Sequence, residues 1–288
     1  IAKLLCVDKE ELKFCLSEKS VKMGKDTTNI KFTPEQAVDS RDTVAKTIYS
    51  KLFDNVVGTI NQLLGGAMIT ATEEEKKKHL VIGILDIFGF EVFDTNSFEQ
   101  MCINYSNEKL QLHFNEVIFE SEMKLYESEG IPTDRVEFLD NSGCVELIEG
   151  KPIGVIALLE DECALGSGND ISFLNKVSKA FNTTKSPQTA KASMFFVRDM
   201  EADNLFSVKH FAGAVKYTVD NFLEKNKDTM SRSMKKCLSG STNPFISSMF
   251  LAEIKAEEEA SKHGRRKGKH TLGTQFRDSL IGLVDALR

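Results

Sequence analysis

Between Asn96 and Glu129 the chain contains neither glycine nor proline, and Phe98, Tyr105, Leu112, Phe119 and Tyr126 recur along it every seven residues. Nothing in that stretch breaks a helix, and Asn96 with Glu99 offers a start resembling a capping box. A helix of this length spans about 50 Å. Any fold for the chain must therefore be built around a rod longer than an ordinary globular helix. The rod usually just packs, but it can also carry a displacement from one end to the other.

The segment entering the rod is "HLVIGILDIFGFEVFD", residues 79–94. Its apolar opening predicts a buried strand that ends on Asp86, followed by Gly89 and Glu91. In open α/β sheets ligands sit beyond the carboxyl ends of strands. An acid there can hold Mg²⁺ directly or through water. A glycine three residues on lets a backbone N–H approach a phosphate oxygen. The plainer alternative is a buried strand ending in a turn, with Asp86 capping backbone amides. A phosphate-binding loop of the form G-x-x-x-x-G-K-[ST] would strengthen the nucleotide reading, and the sequence holds none. The nearest candidate, Gly264 to His270, has three residues between its glycines and no hydroxyl after the lysine.

Residues 1–66 are expected to be mostly helical. Thr33 is the expected N-cap of a long helix, with Pro34 at its first position and Gln36 in a capping-box place. Val44, Ile48, Leu52, Val56 and Ile60 step by four, which predicts a continuous buried stripe, and Gly65-Gly66 is the expected stop. Thr70–His79 reads as a solvated loop. After Pro152 the pattern predicts a helix, a turn at Gly166-Ser167-Gly168, and a second helix capped by Asn169 or Asp170. "SMFFVRD" and "FSVKHFAGAVKYTV" read as strands, with a bend at Gly213. "DNFLEKNKDTMSRSMKKCL" returns to helix. Residues 253–270 turn from acidic to basic, and a last amphipathic helix starts near Leu272.

Composition narrows the function classes. With 288 residues the chain makes one large domain or two ordinary ones. A net charge of −6 is too mild to imply a polyanion partner for the whole molecule. The basic run near residue 265 lacks interleaved aromatics, so no nucleic acid is expected. The six cysteines show no C-x-x-C spacing and the five histidines form no zinc motif, so reduced thiols and no zinc site are expected. No apolar run is long enough to span a membrane, and no signal peptide is visible. The chain begins with Ile1, which predicts a piece of something longer.

Four ordered motifs give the pattern a family. "LDIFGFEVFDTNSFEQMCINYSNEKLQLHFN", "DSRDTVAKTIYSKLF", "GVIALLEDE" and "HFAGAVKYTVDNFLEKNKD" resemble segments of the myosin motor domain, in order and across essentially the whole chain. The resemblance implies an α/β, predominantly helical fold: a partial motor of the P-loop-NTPase type, with the lower and part of the upper actin-cleft subdomains and strands of the central sheet. Residues 1–78 would end the upper cleft subdomain, 79–94 form the switch II strand and loop, and 95–130 the relay helix. Residues 131–250 would be the lower cleft subdomain, 251–270 the variable basic loop 2, and 271–288 the start of the following helix.

Site roles follow from the same resemblance. Asp86 would hold Mg²⁺ through water, Gly89 would donate its N–H to the γ-phosphate, and Glu91 would pair with an arginine of switch I to help position the attacking water. Filamentous actin is the implied partner. Its implied contacts are Asp26, the helix-loop-helix with Ile156 and Leu165, the basic residues Lys262, Arg265, Arg266, Lys267 and Lys269, and Ser279, Leu280 and Leu283 in the final helix.

The resemblance also marks what this stretch lacks. The P-loop and switch I are expected N-terminal to it, and the converter and light-chain-binding lever after Arg288. Light chains and Mg-ATP therefore belong to the complete motor, and this stretch alone is expected to bind actin without hydrolysing ATP, in the cytoplasm on the actin cytoskeleton. The chain has no tryptophan, although the family usually places one just after the relay helix. The loop there carries an insertion-like "PTDR" at residues 132–135. The competing expectation is a non-catalytic actin-binding module.

Overall fold

The computed structural model describes residues 1–23, 26–69, 82–132, 140–165, 167–183, 189–199, 202–227, 230–262 and 271–287. The expected loop Thr70–His79, the residues Thr133–Arg135, Gly166 and the basic residues Arg265, Arg266, Lys267 and Lys269 lie outside them. The chain divides into two compact units. One comprises residues 1–85 and 229–269, the other residues 86–228 and 270–288.

The first unit contains α1 (Ala2–Leu5), α2 (Lys9–Ser17), a hairpin of β1 (Glu18–Met23) and β2 (Asp26–Lys31), and α3 (Pro34–Ile69). The hairpin is an element that the mostly helical sequence reading did not include. Its strands pair antiparallel from Glu18 with Lys31 to Met23 with Asp26. β-branched Val21, Thr27, Thr28 and Ile30 suit a pleated ladder better than a helix. The start of α3 follows the expected capping box. Thr33 N–H donates to Gln36 Oε1 at 3.1 Å, and Gln36 N–H to Thr33 Oγ1 at 3.3 Å.

Its far end does not follow the sequence reading, because the helix runs through Gly65-Gly66 to Ile69. Each glycine costs a helix interior about 1 kcal/mol, a penalty that does not by itself end it. The expected buried stripe is also not observed: Val44 is buried, but Leu52, Val56 and Ile60 are exposed. Among the described residues of this unit, packing reaches the first half of α3, as far as Lys51.

After the second unit's residues, the chain returns to this first unit as α10 (Arg232–Ser239) and α11 (Pro244–Lys262). Residues 251–262, expected to open a loop, are thus helical, and Lys262 is the last residue of α11. Leu12, Cys15, Val44, Met234, Leu238 and Phe250 form the core. Glu253 on α11 ties three helices together, pairing with Lys235 of α10 at 2.8 Å and with Lys51 of α3.

The second unit is built on the rod, α4 (Phe98–Ser128). Its N-cap is Ser97, one residue later than expected, and Ser97 N–H donates to Gln100 Oε1 at 3.0 Å. Around it lie α5 (Ser142–Glu149), α6 (Val155–Ala164), α7 (Asp170–Ser178) running into a π-helical turn, α8 (Ala190–Ser193), α9 (Phe222–Asn226) and α12 (Leu272–Leu287). A three-stranded antiparallel sheet has the order β3 (Phe196–Arg198), β4 (Leu205–His210), β5 (Gly213–Thr218). Phe206, Val208, Val215 and Tyr217 alternate inward from it, and Gly213 takes φ 132° at the expected bend. Asn169 caps α7, accepting Ser172 N–H at 2.9 Å, while Asp170 instead accepts the N–H groups of Asn221 and Leu223, each at 2.9 Å. Burial fades along the rod: Phe98 and Tyr105 are in the core, whereas Phe114, Val117 and Leu125 are exposed.

Glu253 makes the first unit's stability depend on pH. Burial works to raise its carboxyl, but the ammonium groups of Lys235 and Lys51 outweigh it and hold the group below its ordinary value of 4.5. A depressed acid contributes stability above its unfolded value, and that contribution is lost as pH falls through the native one. Glu253→Gln should therefore destabilise the chain at pH 7 by less than about 1 kcal/mol, since the side chain is part-exposed. Thermal unfolding at pH 7 and again below pH 4 should show that penalty shrinking with acid.

Candidate functional site

The segment entering α4 does not form the expected strand. Residues 82–93 carry neither helix nor strand, and Ile82 and Ile84 stand almost fully exposed. A strand needs a hydrogen-bonded neighbour, and among the described residues none pairs with this segment. The three expected ligand groups lie within it. Asp86 and Gly89 are exposed and Glu91 is half-buried. The space where a side chain would stand at Gly89 is open, with no atom within 4 Å.

Three asparagines pin the loop's main chain. Asn107 Nδ2 donates to the Phe88 carbonyl at 2.9 Å. Asn104 holds both backbone groups of Glu91: its Oδ1 accepts the Glu91 N–H and its Nδ2 donates to the Glu91 carbonyl, each at 2.8 Å. Asn96, the expected N-cap, serves as a staple instead. It accepts the Phe93 N–H at 2.8 Å and donates to the carbonyls of Phe93 and Lys216 at 3.0 Å. Phe90 packs edge-on against His210 and Phe211. The result is a loop with a fixed main chain and an open outer face.

Beneath it lies a buried polar network. Asn104 Nδ2 donates to the Tyr217 hydroxyl at 2.9 Å, the hydroxyl meets His210 Nε2 at 2.9 Å, and His210 Nδ1 meets Glu108 Oε2 at 2.9 Å. Glu108, with no exposed side-chain surface, also accepts Asn141 Nδ2 at 2.6 Å and the Phe211 N–H at 3.1 Å. Cys144 Sγ lies 3.7 Å from His210 Nδ1. Glu108, Cys144 and His210 are the one group among the described residues whose ligand atoms cluster closely enough to suggest a metal. Glu108 and His210 are in direct contact at 2.9 Å, and the donors from Asn141 and Phe211 complete a hydrogen-bonded network around the carboxylate.

The sequence reading missed this network. A weak signal existed: Asn104, Asn107 and Glu108 interrupt the apolar face that Met101 and Tyr105 bury, so polar groups stood where core was expected. Tyr217 and His210, which complete the network, lie about a hundred residues away in the chain, beyond any local pattern.

The other expected site residues are scattered. Leu165 is exposed at the end of α6, Ser279 is exposed on α12, and Leu283 is half-buried there. Ile156 and Leu280 are buried, at 1% and 6% exposure. Both side chains therefore serve the core of the second unit, because the apolar faces of α6 and α12 turn inward. Asp26 begins β2, opposite Met23. No helix among the described residues is long and apolar enough to cross a membrane.

The family description "Myosin head (motor domain)" matches residues 1–288. Myosin-I heavy chain of Dictyostelium discoideum is 38% identical over 287 residues, covering 100% of this chain and 11% of that protein. Myosin-2B of Naumovozyma castellii is 41% identical over 267 residues, 90% of this chain and 18% of its own length. Unconventional myosin-Va of Rattus norvegicus is 37% identical over 305 residues, 99% of this chain and 16% of its own. The chain belongs to the myosin motor-domain family. It spans between about a tenth and a fifth of the length of these relatives.

The buried thiols should be chemically silent. Burial, then the neighbouring Glu108 carboxylate, pushes the Cys144 thiol well above its ordinary value, and burial with Glu99 pushes Cys102 up to about 12. Only the thiolate reacts. With iodoacetamide near pH 8, mass spectrometry should find exposed Cys6 alkylated on the native chain, and Cys102 and Cys144 alkylated only after unfolding.

Proposed function

We propose that this chain is part of an ATP-driven, actin-based motor of the P-loop-NTPase type, and that residues 86–91 are one wall of its nucleotide site. The observation that supports this reading best is the loop's division of labour. Its main chain is pinned to α4 by Asn104 and Asn107, while Asp86 and the open side of Gly89 face outward.

The residues present suit part of a Mg-ATP site. Asp86 supplies a hard oxygen donor of the kind Mg²⁺ takes, directly or through water. Gly89 offers a backbone N–H that no side chain shields. Glu91 would meet an arginine from outside this chain. Bound Mg-ATP would supply the phosphoryl group whose transfer drives the motor, and this chemistry depends on positioning and charge stabilisation. The chain's own contribution is to offer a carboxylate and a backbone donor on a loop that α4 pins at Phe88 and Glu91. Lacking a phosphate-binding loop, the isolated chain should not turn over ATP, and α4 takes the role of relay helix.

Filamentous actin is the proposed partner. The contact residues we propose are Asp26, Leu165, Ser279, Leu283 and the basic residues Lys262, Arg265, Arg266, Lys267 and Lys269, which would meet acidic groups on the filament. The boundaries 1–78, 79–94, 95–130, 131–250, 251–270 and 271–288 remain our proposed division into motor subdomains, with light chains and Mg-ATP belonging to the complete protein on the cytoplasmic actin cytoskeleton.

Co-sedimentation with filamentous actin tests the reading. Binding should weaken between 50 and 200 mM salt as surface charges are screened, and should be indifferent to Mg-ATP. Alanine at Arg265, Arg266, Lys267 and Lys269 together should lower affinity roughly tenfold and flatten the salt dependence. No sedimentation at low salt would overturn the actin assignment, and release by ATP would overturn the incomplete nucleotide wall.

A further inference from the structure

We propose that Tyr217 and His210 are positioning residues for Glu91: through Asn104 they fix the main chain that carries this carboxylate. The proposal rests on reading residues 86–91 as the nucleotide-facing loop.

Asn104 joins the buried network to the loop. An asparagine amide can turn over, exchanging its donor and acceptor ends. Here a turned amide would set Nδ2 against the Glu91 N–H, donor to donor, and Oδ1 against the Glu91 carbonyl. Both correct contacts are 2.8 Å long, so orientation decides whether Glu91 is held or repelled. The second Nδ2 hydrogen sets that orientation by donating to the Tyr217 hydroxyl at 2.9 Å.

The hydroxyl oxygen then accepts from Asn104, so its own hydrogen is directed at His210 Nε2, also 2.9 Å away. This requires the tautomer with its proton on Nδ1, which donates to Glu108 Oε2 at 2.9 Å. Glu108 is an acceptor that cannot turn. Asn141 Nδ2 and the Phe211 N–H already hold its oxygens, and its side chain is fully buried. Donors thus point one way, from Asn104 through Tyr217 and His210 to Glu108. Asn104 and Glu108 sit one turn apart on the same face of α4, so the path from helix to hairpin and back is a closed ring. Asn104, Glu108 and Tyr217 are wholly shielded from water and His210 nearly so, so no solvent competes for these bonds. A purely structural network would not need to end on both backbone groups of one loop residue.

Amide hydrogen exchange by NMR on the full chain tests this. Tyr217→Phe removes one oxygen and keeps the ring packing. The Glu91 amide should exchange about threefold to tenfold faster, in line with a weakened single hydrogen bond, and the Asn104 side-chain amide resonances should shift. Amides paired across β4 and β5, such as Val208 and Val215, should keep their rates. In Asn104→Ala, Glu91 should exchange as an unprotected loop amide. A Glu91 amide whose exchange rate is unchanged in either folded variant overturns the proposal. So does a loss of protection in Tyr217→Phe spread evenly through β4 and β5. None of these readouts uses nucleotide or actin, so the positioning role and the motor reading fail separately.

Discussion

Removing a carboxylate from water costs several kcal/mol unless donors surround it, and Glu108 is fully buried in the middle of the second unit. Its donors come from three places. Asn141 precedes α5, the Phe211 N–H lies in the turn after β4, and His210 ends β4. One acid on α4 therefore fixes the long helix against α5 and the hairpin at once. The aromatic core around Phe98, Phe206 and Phe222 packs on a frame that this group registers, because dispersion contacts alone do not specify one orientation. The loop of residues 86–91 inherits its position from the same frame, through Asn104 and Asn107.

Legibility in the sequence followed the range of the forces involved. The Thr33–Gln36 capping box, the rod from residue 98, the bend at Gly213 and the Asn169 cap were readable because each is decided within a few residues. Other local readings failed, at the run into Asp86 and at Gly65-Gly66 among them. The run ending at Asp86 carries a strand's composition, yet among the described residues no neighbour completes a ladder. Gly65-Gly66 carries a helix-stop signal, yet the helix continues. Asn96 shows a smaller shift: the polar residue was recognised, but its amide staples Phe93 to Lys216 and leaves the cap to Ser97.

Of the candidate site, the outward-facing groups were legible and their support was not. Asp86, Gly89 and Glu91 stand within six residues, so a local reading could group them as candidates. Glu108 and His210 are separated by 102 residues, and nothing in either neighbourhood announces the other. Burial also separates residues that the resemblance had grouped. Ile156 and Leu165 lie on one helix and its end, but the first is core and the second is surface. The apolar row of α3 is likewise exposed at Leu52, Val56 and Ile60, although its step of four predicted burial, whereas Leu112, Phe119 and Tyr126 of α4 are half-buried.

The account rests on Glu108 and His210 acting as one unit at the centre of the α4 frame. A double-mutant cycle of Glu108→Gln and His210→Gln measures that directly, with unfolding free energies taken from the slowest-exchanging amides of the α4 core. The account predicts a coupling of about 1 kcal/mol or more, as for residues in direct contact. Single effects that add to within about 0.3 kcal/mol would contradict it and leave the loop without the support described.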